Sequence, residues 1–167
     1  MAGLKQEIAQ ERPFSSVEEE AILNLMRTSD IVERAFHHRT REWGITSTQY
    51  NVLRILRGAH PEGLACAAIG DRMITAEPDI TRLLRRLKGL KLIRQRRDRN
   101  DRRVVLTHIS EAGLELLRAM DPAIQQAPKE LLGHMSGTEL AEMIRLLERA
   151  RKQDGDARLE CDGMKSE

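Results

Sequence analysis

The chain has 167 residues, of which 40% are hydrophobic and 32% charged, a composition that supports one domain with a hydrophobic core and excludes wholesale disorder. It contains no run of about 18 apolar residues, and its N-terminal residues lack the apolar stretch of a secretory signal, so we expect a cytoplasmic protein with no membrane partner. Aromatic side chains make up only 2% of the chain, which disfavours single-stranded nucleic acids bound by base stacking.

The charge of the chain is concentrated in one segment. The net charge is +2, but between Arg82 and Arg103 eleven basic side chains stand against two acidic ones, so this segment carries +9 and the remainder −7. A cationic segment in an otherwise acidic chain indicates a localised site for a polyanion. The alternative is a solvated charged face, but such faces usually mix both signs.

The first predicted helix carries a long apolar stripe. Residues 1–14 are expected to form a flexible arm, and a helix should begin at Ser15 or Ser16, where Ser15 and Glu18 fit a capping box. It should end near Trp43-Gly44, because glycine favours the left-handed conformation that ends helices. Its apolar side chains recur every three to four residues: Ile22, Leu25, Met26, Val32 and Phe36.

Two shorter helices are predicted next. Thr46 and Gln49 suggest a second capping box, and the helix that follows should end before His60-Pro61. Residues 62–64 are typical of a turn or a very short strand, and a short helix is expected over residues 66–73.

A basic helix is predicted over residues 76–88, with Thr75 as its N-cap and Pro78 in its first turn, where a missing N–H costs little. Its apolar side chains fall on one face of the helix: Ile80, Leu83, Leu84 and Leu87. The other face carries Thr75, Pro78, Arg82, Arg85 and Arg86.

A β-hairpin with a basic tip is predicted after this helix. Residues 92–96 and 104–109 have the composition of strands, and the polar run 97–102 between them is typical of a turn.

Two helices are predicted at the C-terminal end. Ser110 should cap a long helix that runs to about Leu132 and contains two prolines, and Ser136 and Glu139 fit a third capping box. The last helix carries apolar positions at Leu140, Met143, Ile144 and Leu147, and residues 154–167 are expected to form a flexible tail.

No motif in the chain assembles catalytic or metal-binding chemistry. The sequence has no glycine-rich phosphate loop, no HExxH and no Gly-x-Ser-x-Gly. The adjacent His37 and His38 point in different directions on a helix, and Cys66 and Cys161 lack ligand spacing. We therefore expect no enzyme activity, no metal and no cofactor.

The order of the elements favours duplex DNA as the polyanion. A short helix, a tight connection and a second helix with arginines on its outer face form a helix-turn-helix, in which the second helix enters the major groove. Arginine can bind guanine O6 and N7 together, and Asp79 could accept from cytosine N4 or orient Arg82. The predicted contacts are Thr75, Pro78, Asp79, Thr81, Arg82, Arg85 and Arg86. The alternative is a surface helix with charged decoration.

The hairpin tip is predicted to be a second DNA contact. The narrow minor groove attracts arginine, so Arg99 and Arg102 are candidates for insertion, with Arg97 and Arg103 on phosphates. Asp101 is expected to brace a neighbouring arginine. The alternative for the whole tip is a solubilising turn.

With these elements in order, the chain resembles the MarR family of bacterial regulators. The resemblance rests on ITSTQYNVLRIL (45–56), residues 67–106 and ISEAG (109–113), and its most specific part is Asp101-Arg102-Arg103 after the Thr-Arg-Leu-Leu of residues 81–84. It covers about residues 17–153.

The resemblance implies a mostly α fold of the α+β winged-helix kind, a winged helix-turn-helix lobe with N- and C-terminal dimerisation helices. One domain would span 15–153, with a dimerisation helix at 15–43, the winged helix-turn-helix at 46–109, its wing at about Leu92 to Thr107, and dimerisation helices at 110–153.

The resemblance further implies a homodimer that reads a pseudo-palindromic operator as a repressor and is released by a small phenolic or other aromatic effector. The dimer interface would include Ile22, Leu25, Val32, Leu140, Ile144 and Leu147. The effector pocket would be lined by His37, Arg41, Trp43, Tyr50 and Met73, although Trp43 and Tyr50 fit plain core packing equally well.

Two positions depart from the family pattern. The family commonly has glycine where this chain has Lys91, so either Lys91 adopts a left-handed conformation or Gly89 ends the helix earlier. Cys66 lies far from the reactive cysteine of the peroxide-sensing branch, so the sequence does not support a redox switch.

Two rival functions stay open. A helical dimerisation module without DNA binding would explain the apolar stripes but not the +9 segment, and a small ligand-binding or catalytic domain would need paired titratable groups that no spacing suggests.

Overall fold

The computed structural model describes residues 3–152 and shows a mostly helical chain with one small antiparallel sheet, which confirms the predicted winged-helix fold class. Two compact units are distinguished, Met1–Pro128 and Lys129–Glu167. The helices are α1 (Leu4–Glu7), α2 (Val17–Arg41), α3 (Ser47–Gly58), α4 (Cys66–Gly70), α5 (Ile80–Gly89), α6 (Glu111–Leu132) and α7 (Gly137–Arg151). The strands are β1 (Leu64–Ala65), β2 (Ile93–Arg97) and β3 (Val105–Ile109).

The N-terminal residues contain more structure than the expected flexible arm. Residues 4–7 form α1, and Leu4 is buried. The predicted Ser15 and Glu18 capping box is wrong by one residue, because Ser16 is the N-cap of α2 and its hydroxyl accepts from the Glu19 N–H at 3.1 Å. The Glu19 carboxylate accepts in turn from the Ser15 hydroxyl and N–H, and these bonds lower the pKa of Glu19.

Helix α3 starts as predicted. The Thr46 hydroxyl accepts from the Gln49 N–H at 3.1 Å, and the Gln49 side chain accepts from the Thr46 N–H at 2.9 Å. This reciprocal cap satisfies two backbone donors at the helix start. The capping box of Ser136 and Glu139 at α7 is confirmed in the same way.

The core of the first unit lies between α3, α5, the sheet and α6. Its fully buried side chains include Leu53, Leu56, Ile69, Leu87, Ile93, Ile109, Leu117 and Met120. Each such side chain contributes about 1.5–3 kcal/mol relative to an exposed position. Because α5 and the hairpin share this core, the orientation of α5 is fixed by packing on its apolar face.

Helix α5 begins later than the sequence suggested. Asp79, not Thr75, is its N-cap, and the Asp79 carboxylate accepts from the Arg82 N–H at 2.8 Å. Proline disfavours helical conformation in the residue before it, so Glu77 cannot easily continue a helix into Pro78. The prediction of a helix over residues 76–88 is therefore wrong at its N-terminal end, where residues 75–79 are a loop. Helix α4 also ends earlier than expected, at Gly70.

The sheet has the strand order β1-β3-β2. Thr107 on β3 lies opposite Leu64 on one side and Gln95 on the other, and Arg97 lies opposite Val105 next to the turn of the hairpin. Of residues 62–64, for which a turn or a very short strand is predicted, only Leu64 lies in a strand, β1. The hairpin has the predicted order, but its turn spans residues 98–104 rather than 97–102, because Arg97 belongs to β2.

Two backbone features join α5, the hairpin and α6. Lys91 has a φ of 60°, so the first of the two alternatives for this position is correct. At the start of α6, a Cβ on Gly113 would lie 2.4 Å from the Leu92 carbonyl oxygen, so only glycine allows this close approach. The Ser110 hydroxyl caps α6 by accepting from the Gly113 N–H at 3.1 Å and donates to the Lys91 carbonyl at 2.7 Å.

Helix α7 in the second unit has no buried side chain, and Ile144 and Leu146 are about half exposed. The predicted tail, residues 154–167, lies outside the described residues. Within residues 3–152, no helix combines the length and the apolar character needed to cross a membrane.

Candidate nucleic-acid interface

Helix α5 separates an apolar face from a cationic one. Leu83, Leu84 and Leu87 are buried against the core, at 8%, 2% and 0% exposure. With these leucines fixed inside, the helical period turns Arg82 and Arg85 most directly outward, and both are exposed. Arg86 and Thr81 flank them and are also exposed. Burial of the leucine face of α5 therefore leaves the arginines of the opposite face exposed to solvent.

The hairpin tip is ordered by its two acidic residues. The Asp98 carboxylate accepts from the N–H groups of Asp101 and Asn100, each at 2.8 Å, and these bonds lower the pKa of Asp98. The Asp101 carboxylate accepts from the Arg103 N–H at 2.9 Å. Both acids thus accept hydrogen bonds from the backbone of the turn.

Helix α5 and the hairpin form one continuous region. A cavity of about 280 Å³ is lined by Arg85 and Lys88 from α5 and by Gln95 and Thr107 from the two strands. Beyond it, Lys88, Lys91 and Arg94 line a second depression at the end of α5. The cations of the helix and those of the hairpin therefore lie on adjoining elements.

The arginines of this region have no carboxylate counter-ion in the part of the chain that the structure describes. No carboxylate of residues 3–152 lies within 4.0 Å of any of them: Arg82, Arg85, Arg86, Arg97, Arg99, Arg102 and Arg103. All seven are exposed. Such a surface has the charge and the long donors that phosphate and base edges require.

The other predicted DNA contacts have different local roles. Thr75 and Pro78 are exposed in the loop before α5 rather than on the helix. Asp79 is exposed, but its carboxylate is engaged by the Arg82 backbone N–H, so it positions the start of α5. The loop is also held by Asn51 of α3, whose side-chain oxygen accepts from the Ile74 N–H at 3.1 Å.

Asp98 and Asn51 are functional candidates that the sequence analysis missed. For Asp98 a signal existed, since an aspartate two residues before an asparagine in a polar turn commonly accepts from the backbone ahead of it. For Asn51 there was no local signal, because its partner is 23 positions away and is defined only by tertiary packing.

The five predicted effector-pocket residues do not line one groove. Only His37 lines the groove of about 340 Å³ beside α5, whose other walls come from Glu33, residues 46–48, Glu77, Asp79, Arg82, Leu83 and Arg86. Tyr50 is 7% exposed and belongs to the core, where burial raises its pKa. Met73 packs against the same core, and Arg41 and Trp43 are exposed.

The predicted interface residues of α2 are apolar, and two of the three are exposed. Ile22 and Leu25 are 59% and 48% exposed, and Val32 is half-buried. Considered by itself, α7 has Ile144 at 54% exposure, with Leu140 and Leu147 half-buried. Apolar side chains repeated along one helix at this exposure are typical of surfaces that bind another protein.

Comparison with known proteins agrees with this geometry. Residues 34–120 match the family model described as transcriptional regulator SarA/Rot. A crystal structure of a MarR transcription factor from Planctomyces limnophilus is 40% identical in sequence, with a TM-score of 0.63, over 82% of this chain and 99% of that one. The HTH-type transcriptional repressor NicR from Pseudomonas putida is 28% identical over 113 residues, which are 68% of this chain and 70% of NicR.

One further structure has the same fold at low identity. BpsR from Bordetella bronchiseptica, whose DNA binding is regulated by 6-hydroxynicotinic acid, is 22% identical with a TM-score of 0.74, over 86% of this chain and 100% of that one.

The cationic helix beside a cationic hairpin defines a DNA-binding transcription regulator of the winged-helix class. The identity and coverage of the Planctomyces limnophilus protein show that the chain belongs to the MarR family.

Proposed function

We propose that the protein is a homodimeric repressor that binds a pseudo-palindromic duplex DNA operator in the cytoplasm. The observation that carries this proposal is the set of seven exposed arginines on α5 and the hairpin that have no carboxylate partner among residues 3–152. A helical module without DNA binding would gain nothing from such a surface. NicR, a repressor, supports the direction of regulation.

In this proposal α5 is the recognition helix and the hairpin is the wing. Arg82, Arg85 and Arg86 contact bases or phosphates in the major groove together with Thr81, while Thr75 and Pro78 approach the backbone from the preceding loop. Asp79 acts by fixing the start of the helix, as its bond to the Arg82 N–H supports. Arg99 and Arg102 enter the minor groove, Arg97 and Arg103 contact phosphates, and Asp101 supports the wing.

The exposed apolar side chains support the proposed dimer. We propose that Ile22, Leu25 and Val32 of α2 and Leu140, Ile144 and Leu147 of α7 become buried against a second copy of the chain. Two-fold symmetry would then present two recognition helices to matching half-sites about one helical turn, roughly 34–36 Å, apart.

The effector is proposed to be a small aromatic acid bound in the groove beside α5. Arg82 and Arg86 line that groove and can pair with a carboxylate, and His37 offers a ring nitrogen on the facing helix. An occupant would withdraw these arginines from DNA, which supplies a physical route to release. BpsR, a protein of the same fold whose DNA binding is regulated by 6-hydroxynicotinic acid, supports this choice of effector class.

The experiment is recovery of genomic fragments bound by the purified chain, followed by fluorescence anisotropy on the recovered site and light scattering on the free protein. We expect twice the mass of one chain and a preference for the recovered site over scrambled duplex by at least about 1,000-fold. Leu25→Asp should give monomers and lose the site, whereas Arg145→Ala on α7 should not. A wild-type chain that stays monomeric, or that binds all duplexes equally, would contradict the proposal.

A further inference from the structure

The cavity between α5 and the wing contains a thiol. Cys66 is the first residue of α4, directly after β1, and it is a free, half-buried cysteine that lines the 280 Å³ cavity. Thr81, Leu84, Arg85 and Lys88 of α5 form one wall, and Gln95, Val105 and Thr107 of the wing form the other. A group attached to this sulfur would therefore lie between the two proposed DNA-binding elements.

A second, independent feature of the cavity points to a ligand. Thr107 is 1% exposed, and its hydroxyl Oγ1 has no hydrogen-bond partner among the described residues. Thr107 shares a face of the sheet with Val105, two residues away, and with its cross-strand partner Gln95, and all three side chains line the cavity. A buried hydroxyl without a partner costs free energy, and an acceptor oxygen in the cavity would remove that cost.

We propose that Cys66 is a covalent modification site for small α,β-unsaturated carbonyl compounds, and that the adduct separates the recognition helix from the wing and weakens DNA binding. The effect on DNA rests on the proposed function, whereas the reaction itself does not. The cavity has the volume of a small ring compound, and Leu84 and Val105 offer apolar contact to its carbon atoms.

The reaction is an addition and needs no oxidant. The Cys66 sulfur forms a bond to the β-carbon of the alkene, the π electrons move toward the carbonyl, and the thiol proton ends on the α-carbon. In the proposed reaction the Thr107 hydroxyl donates to the carbonyl oxygen, and the positive charges of Arg85 and Lys88, which line the same cavity, stabilise the negative charge that develops there. Nothing is released, so atoms and electrons balance within the adduct.

The test uses the full chain carrying Cys161→Ser, which leaves Cys66 as its single thiol. This protein is treated with N-ethylmaleimide, a small α,β-unsaturated dicarbonyl probe, and adduct formation is followed by intact-protein mass spectrometry with peptide mapping. We expect one adduct at Cys66, formed about fivefold more slowly in a Thr107→Val variant, since one hydrogen bond to the carbonyl is lost. Thr107→Val should fold at least as stably, which separates the lost contact from misfolding.

DNA affinity of the adduct is then measured on the recovered operator. We expect a loss of about tenfold or more, comparable with the loss of one base contact, and no loss for Cys66→Ser/Cys161→Ser treated in the same way. The proposal is overturned if folded protein is not labelled, if Thr107→Val reacts at the parent rate, or if the adduct binds DNA normally. If untreated protein fails to bind any duplex, the proposed function fails, while the labelling rates still decide the modification site.

Discussion

Two regions of the molecule use arginine in different ways. On α2, α6 and α7, Arg34, Arg118 and Arg145 each pair with a carboxylate on the same helix, and Arg57 of α3 makes two hydrogen bonds to Asp121 of α6 at 2.8 and 3.0 Å. On α5 and the wing, seven arginines have no such partner among residues 3–152. Even the two acids of the wing accept from backbone N–H groups instead.

The paired arginines contribute to the structure of the protein, whereas the arginines of α5 and the wing remain available to bind an external anion. A paired arginine contributes to the stability or solubility of a helix, while a group of unpaired arginines raises the electrostatic cost of the isolated protein and is offset only by an external anion. Because the same residue type occurs in both regions, variants in one region serve as matched controls for the other.

The largest effect is expected on α5. Arg82→Ala/Arg85→Ala should lower operator affinity at least about 100-fold, because each bidentate base contact is worth about 1–3 kcal/mol. The free energy of unfolding should change by less than about 0.5 kcal/mol, since both side chains are exposed and neither has a carboxylate partner within residues 3–152. Fluorescence anisotropy and urea denaturation measure the two quantities. Arg118→Ala, which breaks the pair with Glu111, is the control and should leave operator affinity unchanged. If both variants lose the same affinity, the arginines of α5 do not differ from the paired arginines in DNA binding.

The wing should show a smaller loss that depends on sequence. Arg99→Ala/Arg102→Ala is expected to weaken binding about tenfold, with the greater part of the loss on operators with A·T-rich flanks, where a narrow minor groove attracts arginine. Arg97→Ala/Arg103→Ala should weaken binding equally on A·T-rich and G·C-rich flanks, as phosphate contacts do. Competition between operators with A·T-rich and G·C-rich flanks measures the ratio of the two affinities. If this ratio is the same for both double variants, Arg99 and Arg102 do not insert into the minor groove.

Substitution of a paired arginine should change the stability of the protein rather than its DNA affinity. Arg57→Met should lower the free energy of unfolding by about 1–2 kcal/mol, because it leaves the partly buried Asp121 carboxylate without its two hydrogen bonds. Operator affinity per folded dimer should not change. Chemical denaturation compared with anisotropy tests this, and a loss of affinity with unchanged stability would show that α3 takes part in DNA binding directly.

A gain of stability is expected from a substitution of Lys91, which lies between α5 and the wing. Lys91 has a φ of 60°, a conformation that costs a residue with a side chain about 1 kcal/mol and costs glycine little. Lys91→Gly should therefore raise the free energy of unfolding by about 0.5–1 kcal/mol. Lys91→Ala removes the same charge but keeps a Cβ, so it should give no gain. A similar gain in both variants would assign the effect to charge.

The smallest effect concerns the wing turn. Asp98→Ala removes the acceptor of two backbone N–H groups and should lower operator affinity about threefold by loosening the turn, although it also removes a negative charge near DNA. Asp98→Asn removes that charge but keeps a side-chain oxygen as acceptor, so its affinity should equal or exceed that of the parent. If Asp98→Ala also binds more tightly, the carboxylate acts only through its charge.

The sequence was sufficient wherever the signal was local. Helical periodicity identified Leu83, Leu84 and Leu87 as buried and their arginine neighbours as exposed, and the capping box of Thr46 and Gln49 placed the start of α3. The predicted start of α5 is too early. Thr75 and Asp79 are both residue types that cap helices well, and Asp79 is the cap because Pro78 disfavours helical conformation at Glu77.

The groove beside α5 could not be assembled from sequence. Its lining comes from four separate segments, and Tyr50, which the family resemblance places in the pocket and which fits core packing equally well, packs into the core. The cavity at Cys66 could not be predicted for the same reason. The Thr107 hydroxyl becomes buried, without a hydrogen-bond partner among the described residues, only when the three strands are paired.

The most direct test of the account is the salt dependence of operator affinity for the wild-type chain. If α5 and the wing of each protomer act as one phosphate-binding surface, the logarithm of the association constant should fall with the logarithm of salt concentration at a slope of about −5 or steeper. A slope near zero would contradict the claim that the unpaired arginines are counter-ions to DNA.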